Sequence, residues 1–138
     1  MTSTLIDTNV FLDVVEERPD WFAWARSKVL EARRIGDVVI SPVVYAEAST
    51  PYEDEHAFAK FIDTAGFVKE DLPFDCAFKA AKAHYEYRKR GGIRTTTLPD
   101  FFIGAHALVR GYRLMTRDPA RFRTYFPELD IIAPESHP

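Results

Sequence analysis

Ser3-Thr4-Leu5-Ile6-Asp7-Thr8-Asn9-Val10-Phe11-Leu12-Asp13-Val14-Val15 is the stretch whose reading decides the fold. Ser3–Ile6 reads as a short strand that ends on an acid. Thr8 or Asn9 can cap a helix through Val10–Val15. A strand that passes directly into a helix is the building unit of α/β proteins, and the rest of the chain repeats that alternation.

Pro19 opens a helix to about Arg34, with Phe22, Ala25, Val29 and Ala32 at helical spacing, and Gly36 stops it. Val38-Val39-Ile40 is β-branched throughout and reads as a buried strand. Ser41-Pro42 starts a helix that carries Val43, Val44, Ala46, Glu47 and Ala48. A further helix runs from about Glu53 to Thr64, and Phe67-Val68 is a short strand. Phe74–Arg90 is helical up to Gly91-Gly92. Pro99 opens a helix that ends near Gly111. Tyr112–Thr116 is a strand, Asp118-Pro119 reads as a turn, and Leu129–Ile132 is a weaker last strand. The expected fold is a three-layer α/β/α domain over residues 1–138, with a short tail from about 133. Its sheet is central, mainly parallel and of four to five strands. Right-handed crossovers bring the C-terminal strand ends to one edge, where open α/β sheets place their sites.

Composition narrows the class. The 138 residues are 46% hydrophobic and 28% charged, an ordinary globular balance. Cys76 is the one cysteine, so neither an internal disulfide nor a CxxC metal site is available. The N-terminus reaches an acid too early for a signal-peptide apolar region, and no apolar run approaches the roughly 20 residues that span a bilayer. A cytoplasmic protein without membrane attachment is expected. The net charge of −3 hides an asymmetry: residues 79–123 hold 11 Lys/Arg against three acids, the remainder seven against 18. A basic half is a footprint for a polyanion, or a solvated helix face.

Of the 21 acids, 17 have ordinary explanations in turns and first helical turns. Four stand out because their neighbours favour burial. Asp7 ends the first strand, where it can also serve as a helix cap. Glu47 lies in an otherwise uncharged, apolar helix. Asp100 heads Phe101-Phe102-Ile103-Gly104-Ala105-His106-Ala107-Leu108-Val109, nine residues without a formal charge. Asp118 follows the strand at Tyr112–Thr116. A parallel topology brings all four to one edge. At about 4 Å and an effective dielectric near 20, each like-charged pair costs roughly 4 kcal/mol. Protonation or a cation must relieve that repulsion. All-oxygen ligation selects a hard cation, Mg²⁺ or Mn²⁺, which activates water and offsets charge on a phosphoryl group.

These residues resemble a known family. Leu5-Ile6-Asp7-Thr8-Asn9-Val10 looks like the opening of PIN-domain nucleases. Tyr45-Ala46-Glu47, Leu98-Pro99-Asp100-Phe101 and Thr116-Arg117-Asp118 match the next three acidic motifs in order. The length resembles the VapC-type toxins of bacterial toxin–antitoxin pairs, and the resemblance runs from residue 4 to about 132. It implies a PIN-like parallel sheet flanked by helices and Mg²⁺-dependent endoribonuclease activity on a structured RNA such as tRNA or rRNA. It also implies a homodimer and neutralisation by a cognate VapB-type antitoxin. Asp7, Asp100 and Asp118 would be metal ligands, with Glu47 as a ligand or general base. Asn9 and Thr116 match positions that help hold the metal or its waters. Arg88, Lys89, Arg90, Arg94, Arg117 and Arg121 are the candidates for gripping an RNA backbone.

Among other groups, His56 and His84 lie on charged helices and are expected to be exposed, whereas His106 is expected to pack. Trp21 and Trp24, three apart on one helix, fit core or subunit-interface packing. A haloacid-dehalogenase-type phosphatase would need a second acid where Asn9 stands. A signalling receiver would need a Lys where Arg117 follows the strand. The surviving rival is a catalytically silent PIN-fold module that binds RNA or acts as a scaffold.

Overall fold

The computed structural model describes residues 1–94 and 97–138. The chain runs β1 (Thr4–Ile6), α1 (Thr8–Val15), α2 (Phe22–Arg33), β2 (Val38–Ile40), α3 (Pro42–Ser49), α4 (Glu55–Thr64), β3 (Val68–Lys69), α5 (Cys76–Lys89), α6 (Leu98–Arg110), β4 (Arg113–Met115), α7 (Pro119–Tyr125) and β5 (Ile131–Ile132). The five strands form one parallel sheet in the order β3-β2-β1-β4-β5. β1 is central, with Leu5 in register with Val39 on one side and Leu114 on the other. Every residue of β1 and β2 is buried, as continuous apolar strands between helical layers require.

The chain moves outward from β1 to β3, then returns to the far side of β1 for β4. Right-handed crossovers therefore set α1–α4 on one face and α5–α7 on the other. Aromatic packing follows that division. Phe11 of α1 meets Phe67, while Phe101 of α6 gathers His84 and Tyr87 of α5 with Tyr125 and Phe126 at the end of α7. Reversal of strand order creates a crevice between the C-terminal ends of β1 and β4.

The structure moves several elements from their expected places. Asp7 itself caps α1, in extended conformation with its side chain accepting from the Thr8 N–H. Thr8 and Asn9 already lie within the helix. α2 begins at Phe22, three residues after Pro19, and α4 begins after the Asp54 cap. The turn expected at Asp118-Pro119 continues as α7, with Pro119 at a first helical position, where its missing N–H costs nothing. The tail is tied down: Trp24 Nε1–H donates to the His137 carbonyl at 2.8 Å, and Arg123 pairs with Glu135.

Gly104 marks the tightest approach of α6 to α7. A Cβ there would stand 2.5 Å from Phe126 Cε2 and 3.1 Å from Phe122 Cδ1, and both rings are buried. Gly104→Ala should therefore destabilise the fold, since overpacking costs about 1–3 kcal/mol against a helix-propensity gain of about 1 kcal/mol. An unchanged or raised urea midpoint would show that Phe126 can move aside.

Candidate active site

Asp7 sits at the reversal crevice because the strand register puts it beside Thr116. Its backbone N–H donates to Met115 O at 2.9 Å, extending the β1–β4 ladder by one residue. Its carboxylate is buried. Oδ1 accepts from the Thr8 N–H and Oδ2 from Thr116 Oγ1, both at 2.8 Å. Burial raises its pKa to about 6; the Thr116 hydrogen bond opposes the rise, and repulsion from Asp100 and Glu47 adds to it.

The other acids reach the same edge from separate elements. Asp100 stands in the first turn of α6, half-buried, with Oδ2 against Arg121 Nη1. Burial pushes its carboxyl above the ordinary range; Arg121 opposes that, and Glu47 and Asp118 reinforce it. Glu47, on α3, accepts a 2.6 Å hydrogen bond from Thr8 Oγ1. Asp118 precedes α7, and its N–H donates to Thr116 Oγ1 at 3.1 Å. Glu47 and Asp118 are exposed, unlike the burial their apolar neighbours suggested. The strand ends open onto solvent at this edge, so an acid can follow a buried strand and still be wet.

Asp7, Asn9, Glu47, Asp100 and Asp118 line one open cavity of about 830 Å³. Thr116 stands beneath it, fully buried, joining Asp7 to Asp118. The lining supplies oxygen donors without His or Cys, a set suited to Mg²⁺ or Mn²⁺. Among the described residues no three acidic, His or Cys side chains close on a single point. Two of the acids are engaged by neighbours: Asp100 pairs with Arg121, and Glu47 accepts from Thr8. The repulsion felt at Asp7 and Asp100 is the electrostatic condition that a divalent cation relieves.

The basic candidates divide. Arg94 and Arg121 line the cavity, joined by Arg123, which the sequence reading did not single out. Arg88, Lys89 and Arg90 are exposed at the end of α5, with Arg90 over the Tyr125 ring. Arg117 is engaged with Asp13.

Two further acids, Asp13 and the half-buried Glu70, are tied into the structure. Asp13 is completely buried. Its apolar neighbours Val10, Phe11, Leu12, Val14 and Val15 carry the same signal that singled out Glu47. Glu70 accepts hydrogen bonds from Tyr112 Oη and from His106 Nε2, each at 2.6 Å. Burial pushes the Glu70 carboxyl up, but those bonds outweigh it and hold the pKa low. Burial lowers the His106 pKa against the pull of Glu70. Nothing in the charged run Lys69-Glu70-Asp71 signals this pairing. His84 is half-buried rather than exposed, hydrogen-bonded to Thr97.

Solved structures share the architecture. VapBC2 from Rickettsia felis bound to a promoter DNA fragment is 18% identical, with TM-score 0.73, covering 96% of this chain and 98% of that one. VapBC-1 from nontypeable Haemophilus influenzae is 19% identical, with TM-score 0.68 and the same coverage. The toxin–antitoxin complex from Klebsiella pneumoniae is 20% identical, with TM-score 0.67 over 94% of this chain and 95% of that one. No curated protein matches the chain. The PIN domain family model matches residues 4–126, from the first residue of β1 to the residue after α7. Since that span takes in the sheet reversal together with Asp7, Glu47, Asp100 and Asp118, the chain belongs to the PIN-domain family.

Proposed function

We propose that the chain is a metal-dependent endoribonuclease, the toxin of a VapC-type pair, cutting a structured RNA such as tRNA or rRNA. The observation that carries this reading is the buried Asp7 carboxylate, pushed to a pKa of about 6 in a cavity lined by Glu47, Asp100 and Asp118. In this reading Asp7, Asp100 and Asp118 hold Mg²⁺ or Mn²⁺, directly or through water. Asn9 and Thr116 support them, the latter by fixing Asp7. Glu47 is a further ligand or the base that takes a proton from the attacking water. The ion, when bound, activates that water and offsets charge on the phosphoryl group. In-line attack would leave a 5′-phosphate and a 3′-hydroxyl. Arg94, Arg121 and Arg123 would meet the RNA backbone within the cavity, and Arg88, Lys89 and Arg90 beyond it.

An antitoxin partner is supported by the fold shared with a solved toxin–antitoxin complex. A homodimer and a cytoplasmic location belong to the same proposal. Among the described residues no helix is long and apolar enough to cross a membrane. The alternative is a catalytically silent RNA-binding or scaffold module. The Arg121–Asp100 contact favours it, since a side chain already neutralises one of the acids.

Purified protein should cleave members of a tRNA and rRNA-fragment panel with Mg²⁺, lose that cleavage in EDTA, and regain it with excess Mn²⁺. Cleavage that persists in EDTA would sink the metal-dependent reading. RNA binding without cleavage under every metal condition would favour the silent module.

A further inference from the structure

Asp13 faces inward from α1 with none of its side chain exposed. A carboxylate there is costly unless it is paired and hydrogen-bonded. Arg117 supplies a two-point fork, with Nε 2.6 Å from Oδ2 and Nη2 3.3 Å from Oδ1. Arg18 adds a more distant charge at 3.9 Å while also holding Glu16. The Arg117 guanidinium lies 5.2 Å from the centre of the Trp21 ring, so it is held by Asp13 and stacked on an aromatic.

Arg117 stands between the buried Thr116 and the cavity acid Asp118. Thr116 Oγ1 donates to Asp7 Oδ2 and accepts from the Asp118 N–H. Clamping Arg117 therefore fixes the backbone between one residue that holds Asp7 and another that is itself a cavity acid. A buried ion pair is weak evidence for stability, because well-packed apolar residues can replace it without loss. What a bidentate fork adds is a fixed direction.

We propose that Asp13 is a positioning residue: through Arg117 it orients the 116–118 segment, so that Asp118 and the Thr116-bound Asp7 face one cavity. This rests on the metal-nuclease reading, and it assigns Arg117 to the scaffold rather than to RNA. Partners of this kind typically account for about 10- to 100-fold in metal affinity or activity.

The test compares wild type with Asp13→Asn, Arg117→Met, Arg117→Lys and the double variant Asp13→Leu/Arg117→Met. Glu70→Gln is the control for a half-buried, hydrogen-bonded acid lost elsewhere. Mn²⁺ affinity by calorimetry, kcat and KM on a cleaved RNA, and Asp118 amide exchange are read well below each melting temperature. Asp13→Asn should weaken Mn²⁺ binding and lower kcat by about 10- to 100-fold with little change in KM, and it should speed Asp118 exchange. Arg117→Lys should fall less far than Arg117→Met. The double variant should recover melting temperature without recovering Mn²⁺ affinity. The proposal is overturned if folded Asp13→Asn keeps wild-type Mn²⁺ affinity and kcat. It is also overturned if its losses track melting temperature as those of Glu70→Gln do. Should the wild type neither bind Mn²⁺ nor cleave RNA, the nuclease reading fails by itself. Asp118 exchange then still decides on positioning: faster in Asp13→Asn supports it, unchanged overturns it.

Discussion

Asp7→Asn should abolish cleavage and, in metal-free protein at neutral pH, make the fold more stable. The first effect follows from removing the central acid. An ion contributes several kcal/mol of charge stabilisation, and at 1.36 kcal/mol per decade its loss corresponds to a fall of roughly a thousandfold or more. The second follows from the rise of the Asp7 pKa from 3.8 to about 6. A carboxyl whose folded pKa is raised is held back from ionising, so its ionised form opposes folding. At 1.36 kcal/mol per unit the penalty amounts to about 3 kcal/mol. The folded chain binds the extra proton between pH 3.8 and about 6. Stability therefore falls as pH rises through that window and is lowest, for this group, above it. Asparagine keeps an oxygen for the Thr8 N–H, and its amide can donate to Thr116 Oγ1. The urea midpoint of Asp7→Asn should exceed that of wild type at pH 7.5, and the gap should close toward pH 4. Saturating Mg²⁺ should narrow it at pH 7.5 by stabilising wild type alone. A gap independent of pH would refute the assignment of strain to the ionised carboxylate.

Phe101→Ala should be the most damaging single change outside the carboxylates. Its ring is fully buried and lies at the centre of an aromatic cluster, 5.4 Å from Tyr125, 5.8 Å from Tyr87, 5.9 Å from His84 and 6.3 Å from Phe126. Truncating such a residue costs about 3–5 kcal/mol in transfer and cavity terms, a large share of the 5–15 kcal/mol typical of a domain. Phe101 also follows Asp100 directly and donates its N–H to Thr97 O at 3.2 Å. Activity should therefore fall even at temperatures where the variant remains folded. A loss of less than about 1 kcal/mol would mean that α5 and α7 collapse into the space.

The sheet was readable because its strands are so apolar. Thr4–Ile6 and Val38–Ile40 have no plausible exposed face, and a strand that ends on an acid before a helix locates the edge of a site. Pro and Gly fixed the limits of α3, α5 and α6 closely, since each acts through its own backbone. α7 was missed because its start, Asp118-Pro119, suits a turn as well as a helix. What carries the segment into a helix is Phe122 and Phe126 closing over Gly104, a contact between distant parts of the chain. The four acids could be named together for a similar reason to the strands: parallel topology collects strand ends. Their exposure could not, because burial at an edge depends on the loops beside it. Asp13 carried a visible signal, an acid inside an apolar helix. Glu70 carried none, since its hydrogen-bond partners His106 and Tyr112 are more than thirty residues away.

The central strand precedes both of its neighbours in the chain. β1 pairs with β2 early in the sequence, but its other neighbour, β4, begins only at Arg113. Until then Asp7 lacks both the Met115 carbonyl that extends its ladder and the Thr116 hydroxyl that holds its carboxylate. Non-local pairing of this kind is slow, because the intervening loop must be closed before any contact repays it. The cavity is thus complete only once β4 has paired with β1. A chain that carries Asp7 and Glu47 but not yet β4 has no assembled cavity, because Asp7 and the Thr116 that holds it are 109 positions apart.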